Sequence, residues 1–187
     1  MDQRSLVVRA RGGDHDAFTA LVDLTVARLD SAARLILRDP ELARDAVQES
    51  LIRAWRDLPG LRDPDRFDAW VHRLTVNSCL DLARRRRRRV IEVELDQSDL
   101  ASPSDFSSGV ADREQLDRAL RGLDLAHRAV IVLHYYLGMP MPDVAAAMGI
   151  PLGTAQSRLH SALVAMRATV VRDPMASADS APGGQPA

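Results

Sequence analysis

Thr154, Gln156, Ser157, Arg158, His160 and Ser161 crowd one stretch near the C-terminal end, threaded by Ala155, Leu159, Leu163 and Met166 at helical spacing. Short hydroxyls, an amide, an imidazole and one guanidinium on the outward side of a helix suit a major groove, where they reach base edges and phosphates. A second set, Arg73, Asn77, Asp81 and Arg84, recurs at steps of three and four and leads into six consecutive arginines, Arg84 to Arg89. Such an edge can lie along a phosphate backbone, and its binding would weaken steeply with salt. Trp70, on the same segment, can stack on an unpaired base or simply anchor the core beside Val71 and Leu74. A third set, Asp45, Gln48, Glu49 and Ile52, puts one apolar residue among polar ones, opposite an apolar stripe. That pattern fits a protein-docking surface, and it also fits a solvated face with one stray isoleucine.

Helices must carry all three sets. From Asp14 to Asp39 the residues Phe18, Leu21, Val22, Thr25, Leu29, Ala32, Ala33 and Ile36 make one apolar face, which Asp39-Pro40 ends. Pro40 to Leu58 carries Ala43, Ala46, Val47, Ser50, Leu51, Ala54 and Leu58 toward a core and stops at Pro59-Gly60. A third helix begins near Asp65 with Phe67, Trp70, Val71, Leu74, Ser78 and Leu82 and runs into the arginines. Between Val90 and Val110 periodicity is lost among Ser, Asp, Pro and Gly, which predicts a flexible acidic linker. Helical pattern returns near Asp112, and Leu125 to Leu137 offers Ala129, Val130, Val132, Leu133 and Tyr136 to a three-helix core. Met141-Pro142-Asp143 then opens a short helix, Gly149 supplies a left-handed turn, and a second helix starts near Leu152. This is helix-turn-helix punctuation, although a plain helical hairpin shares it. The tail, 173–187, is small, polar and rich in Pro and Gly, and is expected to be disordered.

The fold expected is therefore all-α: two small helical domains, 14–89 and 112–172, joined by a linker at 90–111, with an N-terminal extension at 1–13. Apolar residues make up 46% of the 187 and aromatics only 4%, which favours helices over sheets. Net charge is −1, so the average hides the separation of the Arg84–Arg89 block from Glu92, Glu94, Asp96, Asp99 and Asp105. Every cation of the Lys/Arg class is Arg, a type suited to bidentate phosphate contact. One cysteine, Cys79, excludes an internal disulfide and a cysteine-cluster zinc site. The five histidines are scattered, with no His-Glu-x-x-His, phosphate-cradling glycine loop or nucleophile elbow, so no enzyme, metal or cofactor is expected. Met1 to Gly13 has no signal-peptide core and the longest apolar run, Ala129 to Leu133, is short, so a soluble cytoplasmic chain without membrane insertion is expected.

Four stretches together resemble the extracytoplasmic-function (ECF) branch of the sigma-70 family. They are Gly13-Asp14-His15-Asp16-Ala17-Phe18, the run from Asp45 to Trp55, the run from Phe67 to Asn77, and the run from Gly149 to Leu159. The resemblance implies an RNA polymerase specificity subunit that binds core enzyme, recognises −10 and −35 promoter elements and helps melt the DNA. It implies that Asp45, Gln48, Glu49 and Ile52 meet the coiled coil of the polymerase β′ clamp, with the β flap as a further contact. The −10 element and melting would fall to the Leu58–Arg66 loop and its neighbours: Arg62, Asp63, Phe67, Trp70, Arg73, Asn77, Arg84 and Arg85. The −35 element would fall to Thr154, Gln156, Ser157, Arg158, His160 and Ser161. Implied partners are thus core polymerase, double- and single-stranded promoter DNA, and an anti-sigma protein. The acidic linker would thread toward the RNA-exit path.

Departures from the family pattern sharpen these expectations. Leu51 stands where an aromatic is usual, and Ala155-Gln156 stand where Val-Lys or Val-Arg is usual. Ser161 replaces a frequent basic residue, leaving Arg158 as the main cation of the −35 reader. Six arginines in a row exceed the family norm and would compensate through backbone affinity. The rival from another class is a DNA-binding regulator that uses only the C-terminal domain. The Asp45/Gln48/Glu49/Ile52 face separates the two, because a simple repressor has no use for it.

Overall fold

A computed structural model describes residues 2–93 and 111–172. Among them there are eight α-helices and no strand: α1 (Gln3–Arg11), α2 (His15–Leu37), α3 (Pro40–Asp57), α4 (Phe67–Val93), α5 (Ala111–Arg121), α6 (Leu125–Ile131), α7 (Met141–Met148) and α8 (Leu152–Arg172). The expected linker falls largely, and the tail wholly, outside the described residues. No described helix is long and apolar enough to cross a membrane.

Local chemistry sets the boundaries. Asp14 caps α2 by accepting from the Ala17 N–H, and Asp39 caps α3 by accepting from Glu41 and Leu42, with Pro40 in the first turn. The Ala17 N–H, helped by the Arg9 guanidinium, holds the Asp14 carboxyl below its ordinary value. Asp63 caps a 3₁₀ turn, Pro64–Arg66, that feeds α4, and Asp124 caps α6. No breaker follows the arginines, so α4 continues past them to Val93, into the first residues of the expected linker.

Helices α1 to α4 pack as one bundle. Leu21, Leu29, Ile36, Leu58, Val71 and Val76 are fully buried in it, and each large aliphatic so placed contributes about 2 kcal/mol. At its centre Ser50 Oγ and Thr75 Oγ1 lie 3.0 Å apart, joining α3 to α4 where a pair of hydroxyls replaces apolar contact. Helix α1 lies where the sequence suggested only a polar extension. Leu6, Val7 and Ala10 are buried, and Gln3 donates to Asp68 at 2.7 Å while Arg4 pairs with Asp65. Three inward residues in nine are too weak an apolar signal to stand out among Asp2, Gln3, Arg4, Arg9 and Arg11.

Helices α5 to α8 form the second bundle. The expected α6 helix is interrupted: Val132–Tyr136 is a π-helical turn. The wider turn rotates the chain beyond it, so Tyr136 is exposed rather than in the core, and Leu137 and Met139 are buried instead. Gly149 ends α7 at φ 63°, ψ 36°, as the turn chemistry predicts. Nothing lies within 4 Å of a Cβ built there, so any cost of substitution is conformational rather than steric. Gly149→Asn should therefore be nearly neutral in denaturant unfolding, Gly149→Ala should lose about 1 kcal/mol, and Gly149→Val about 2 kcal/mol.

The two bundles touch. One apolar cluster contains residues of both, from Leu6 through Leu80 to Leu137, Val144 and Met148. Leu35 of α2 packs against a smaller cluster made by Leu120, Leu123, Ile131 and Ala162.

Candidate functional site

Three surfaces gather the residues singled out by the sequence. The first is a groove of about 570 Å³ between α2 and α3, lined by Phe18, Val26, Val47, Gln48, Leu51, Ile52 and Trp55. Its rim carries an apolar side chain, Ile52, which is 61% exposed. The opening signature of the chain builds the groove wall: His15 and Phe18 stack on Trp55 at centroid distances of 4.4 and 5.0 Å. The four expected docking residues divide: Gln48 and Ile52 line the groove, whereas Glu49, on the flank of the same helix face, does not. Glu49 there pairs with Arg53 and lies 3.9 Å from Arg85 of α4. Asp45 is exposed beside them. The contribution of α2, from Phe18 and Val26, was not separable in sequence from an ordinary core face.

The second surface follows the loop after α3 and the length of α4. Arg62, Asp63 and Arg73 are exposed and Asn77 is half-buried. Phe67 is only 2% exposed and belongs to the core, with Trp70 half-buried against it at 6.0 Å between ring centroids. Of the two aromatics, neither lies free, and Phe67 supports the loop from beneath. The arginine tract is partly held by acids of the same bundle. Arg84 lies 3.4 Å from Asp81, Arg85 reaches Glu49, and Arg86 pairs with Asp39. Burial pushes the Asp39 carboxyl up, but the Leu42 N–H and the Arg86 guanidinium hold it below its ordinary value. Arg87 and Arg88 are exposed.

The third surface is the outer face of α8. Gln156, Ser157, His160 and Ser161 are exposed, whereas Thr154 and Arg158 are half-buried. Ser157 Oγ donates to the Thr154 carbonyl at 3.0 Å, so its hydroxyl already has a local acceptor. Ala155 and Ala162 are buried behind this face. The exposed part of this face is thus four polar side chains, and the one cation of the set, Arg158, is half-buried beside them.

Comparisons with known proteins match both parts of the chain. Residues 21–89 match the family model "Sigma-70 region 2", and residues 113–166 match "Sigma-70, region 4". The chain is 36% identical over 154 residues to "ECF RNA polymerase sigma factor SigL" of Mycobacterium tuberculosis, covering 81% of this chain and 87% of that one. It is also 36% identical over 141 residues to "RNA polymerase sigma-E factor" of Streptomyces avermitilis, covering 75% and 77%. Among solved structures, CnrH in complex with the cytosolic domain of CnrY is similar with a TM-score of 0.65 and 30% identity, covering 91% of this chain and 98% of CnrH. The fold is shared as well with RpoE bound to the anti-sigma factor NepR from Bartonella quintana, TM-score 0.70 and 24% identity, covering 83% and 98%. The groove lining from Val26 to Trp55 and the α4 edge fall within the region 2 match, with His15 and Phe18 just before it, and the α8 face falls within the region 4 match. With an all-helical fold, both region models in order and a curated relative matched over most of its length, the chain belongs to the ECF sigma factors of the sigma-70 family, transcription-initiation factors and not enzymes.

Proposed function

We propose that this chain docks on core RNA polymerase through the α2–α3 groove, with Ile52 and Gln48 at the contact and Asp45 at its edge. The observation that carries this reading is the groove itself: an aromatic-walled apolar cleft with an exposed isoleucine on its rim. Such a surface is costly to leave in water and fits one apolar ridge of a helical partner, as the β′ clamp coiled coil would supply. Glu49 and Arg85, close to each other, place a polar rim beside it. The C-terminal bundle would meet the β flap, where Tyr135 and Tyr136 project from the π turn.

Promoter reading divides between the other two surfaces. Arg62 and Asp63 of the exposed loop, with Arg73, Asn77, Arg84 and Arg85 of α4, serve the −10 element and the melted strand. Trp70, packed against the core, shapes that surface, and Phe67 acts only through the loop it supports. The α8 face, with Arg158 as its cation, serves the −35 element in a major groove. Low charge there leaves much of the affinity to the arginine tract. Changing Arg87 and Arg88 together to Ala should reduce the slope of log affinity against log salt by about 2 on duplex DNA of arbitrary sequence, because each exposed guanidinium releases about one counterion. A filter-binding series between low and moderate salt measures it.

An anti-sigma protein is the proposed regulator, and the cytoplasm the proposed compartment; the structurally similar CnrH is seen with the cytosolic domain of CnrY, and the sigma factor RpoE with the anti-sigma factor NepR. A repressor that uses only α5 to α8 would leave the groove without a purpose. Sedimentation of the full chain with purified core polymerase at low ionic strength tests the reading: co-migration is expected, and separate migration contradicts it.

A further inference from the structure

Helix α1 does more than close the N-terminal bundle. Leu6, Val7 and Ala10 commit one side of it to the core, and polar contacts fix both its ends. At the C-terminal end Arg9 Nε donates to Asp14 Oδ2 at 2.8 Å, across a corner where Gly13 takes φ 92°, a value at which a side chain would be strained. At the N-terminal end Gln3 Nε2 donates to Asp68 Oδ1 at 2.7 Å, and Arg4 pairs with Asp65. These contacts span 65 and 61 residues of chain, so nothing local requires them. Asp65 is the middle residue of the Pro64–Arg66 turn, and Asp68 lies in the first turn of α4.

Both acids belong to the loop assigned to the −10 element or to the helix start just after it. That loop has two 3₁₀ turns, Leu58–Gly60 and Pro64–Arg66, and α1 packs against each. Leu58 and Leu61 are buried beneath the first turn. Three of its amides have fixed acceptors: Leu61 N–H donates to the Leu58 carbonyl at 3.0 Å, Asp65 N–H to Asp63 Oδ1 at 3.0 Å and Arg66 N–H to the Asp63 carbonyl at 3.1 Å. Arg62 and Asp63, both exposed, form the tip between the two anchored turns. Helices α3 and α4 are continuous with those turns, whereas α1 comes from outside the loop and bridges them. A loop whose shape is already set gives up less binding free energy to ordering when it meets an unpaired strand. We infer that α1 belongs to the strand-capture machinery: Gln3 and Arg4 are positioning residues that hold the Pro64–Arg66 turn and the start of α4, so that Arg62 and Asp63 meet the melted strand in a set geometry. The inference rests on the proposed assignment of this loop to the −10 element, while the hold on the loop is a property of the free chain.

The Arg4 and Asp65 side chains are 56% and 62% exposed, so changing them spares the core and the effects are modest. In the full chain, Gln3→Ala with Arg4→Ala should speed hydrogen exchange of the Leu61, Asp65 and Arg66 amides about fivefold, leaving Val47 and Ala54 of α3 as slow as in the parent. Reversing the pair, Arg4→Asp with Asp65→Arg, should restore slow exchange, a rescue that general loosening of the bundle cannot give. The functional probe is a single-stranded DNA pool randomised over ten positions, from which holoenzyme made with the parent chain and core polymerase selects its preferred sequence. Holoenzyme with the Gln3→Ala, Arg4→Ala chain should bind the selected strand about fivefold more weakly, with affinity for core polymerase unchanged. The slope of log affinity against log salt should also stay the same, because a positioning residue releases no counterion. Unaltered exchange, failure of the reversed pair to rescue it, or a lowered salt slope overturns the positioning role. Arg62→Ala separates this from the reading beneath it. If Arg62→Ala weakens strand binding and the α1 variant does not, the role of α1 is refuted while the loop assignment stands; if neither does, the loop assignment itself fails.

Discussion

Ile52→Asp should lower affinity for core polymerase more than a hundredfold while leaving thermal unfolding nearly unchanged. At 61% exposure the side chain contributes little to the fold, so its replacement is an ordinary surface change for stability. In the complex, the same side chain would be buried against the groove lined by Phe18, Leu51 and Trp55. Loss of its apolar contact removes about 2 kcal/mol, and a carboxylate forced into that apolar seat adds a desolvation cost of at least about 1 kcal/mol. Together these correspond to a factor above one hundred. Ile52→Leu keeps the apolar volume and should bind within a few-fold of the parent. Fluorescence titration of labelled core enzyme measures all three proteins; an Ile52→Asp chain that binds within threefold would place docking elsewhere.

A second large effect concerns acid. His72 lies on α4 at 5% exposure, and burial drives its pKa down to about 4; Asp68 partly opposes the shift and Arg28 adds to it. The unfolded chain takes up a proton near the ordinary value of 6.5, before the folded chain does. Stability is therefore complete above about pH 6.5 and falls as pH drops toward 4, by about 3 kcal/mol over the window. His72→Gln, neutral throughout, should flatten that part of the profile. Carboxylates held low in the fold, Asp14, Asp39, Asp117 and Asp124 among them, contribute losses only below their ordinary value of 3.8, so the two effects separate. Urea titrations at half-unit steps check the slope; equal slopes for parent and His72→Gln would rule out a neutral buried imidazole.

The helical frame was readable because its signals are local. Asp14, Asp39 and Asp124 cap helices at the positions where short acidic side chains precede apolar periodicity, and Gly149 has the conformation its turn demands. The polar face of α8 was readable for the same reason, since one helix carries all of it. What escaped depends on contacts between distant segments. The α2 wall of the groove is indistinguishable in sequence from a buried stripe until α3 is set beside it. Glu49 shares a stripe with Ile52 in sequence, yet its carboxylate meets Arg53 and Arg85 and does not line the groove. Tyr136 lost its expected burial to a π turn, which no spacing rule announces. Arg38 and Arg128 carry no signal in the sequence, because only the packing of the two bundles gives them carboxylate and carbonyl partners.

Run-off transcription from a fragmented bacterial genome, with core polymerase and this chain as the sole added factor, followed by mapping of RNA 5′ ends, probes docking and promoter reading together. Start sites that share one sequence about ten and another about thirty-five base pairs upstream, lost with the Ile52→Asp chain, are the predicted result. Initiation no different from that of core enzyme alone would refute promoter selection by these surfaces.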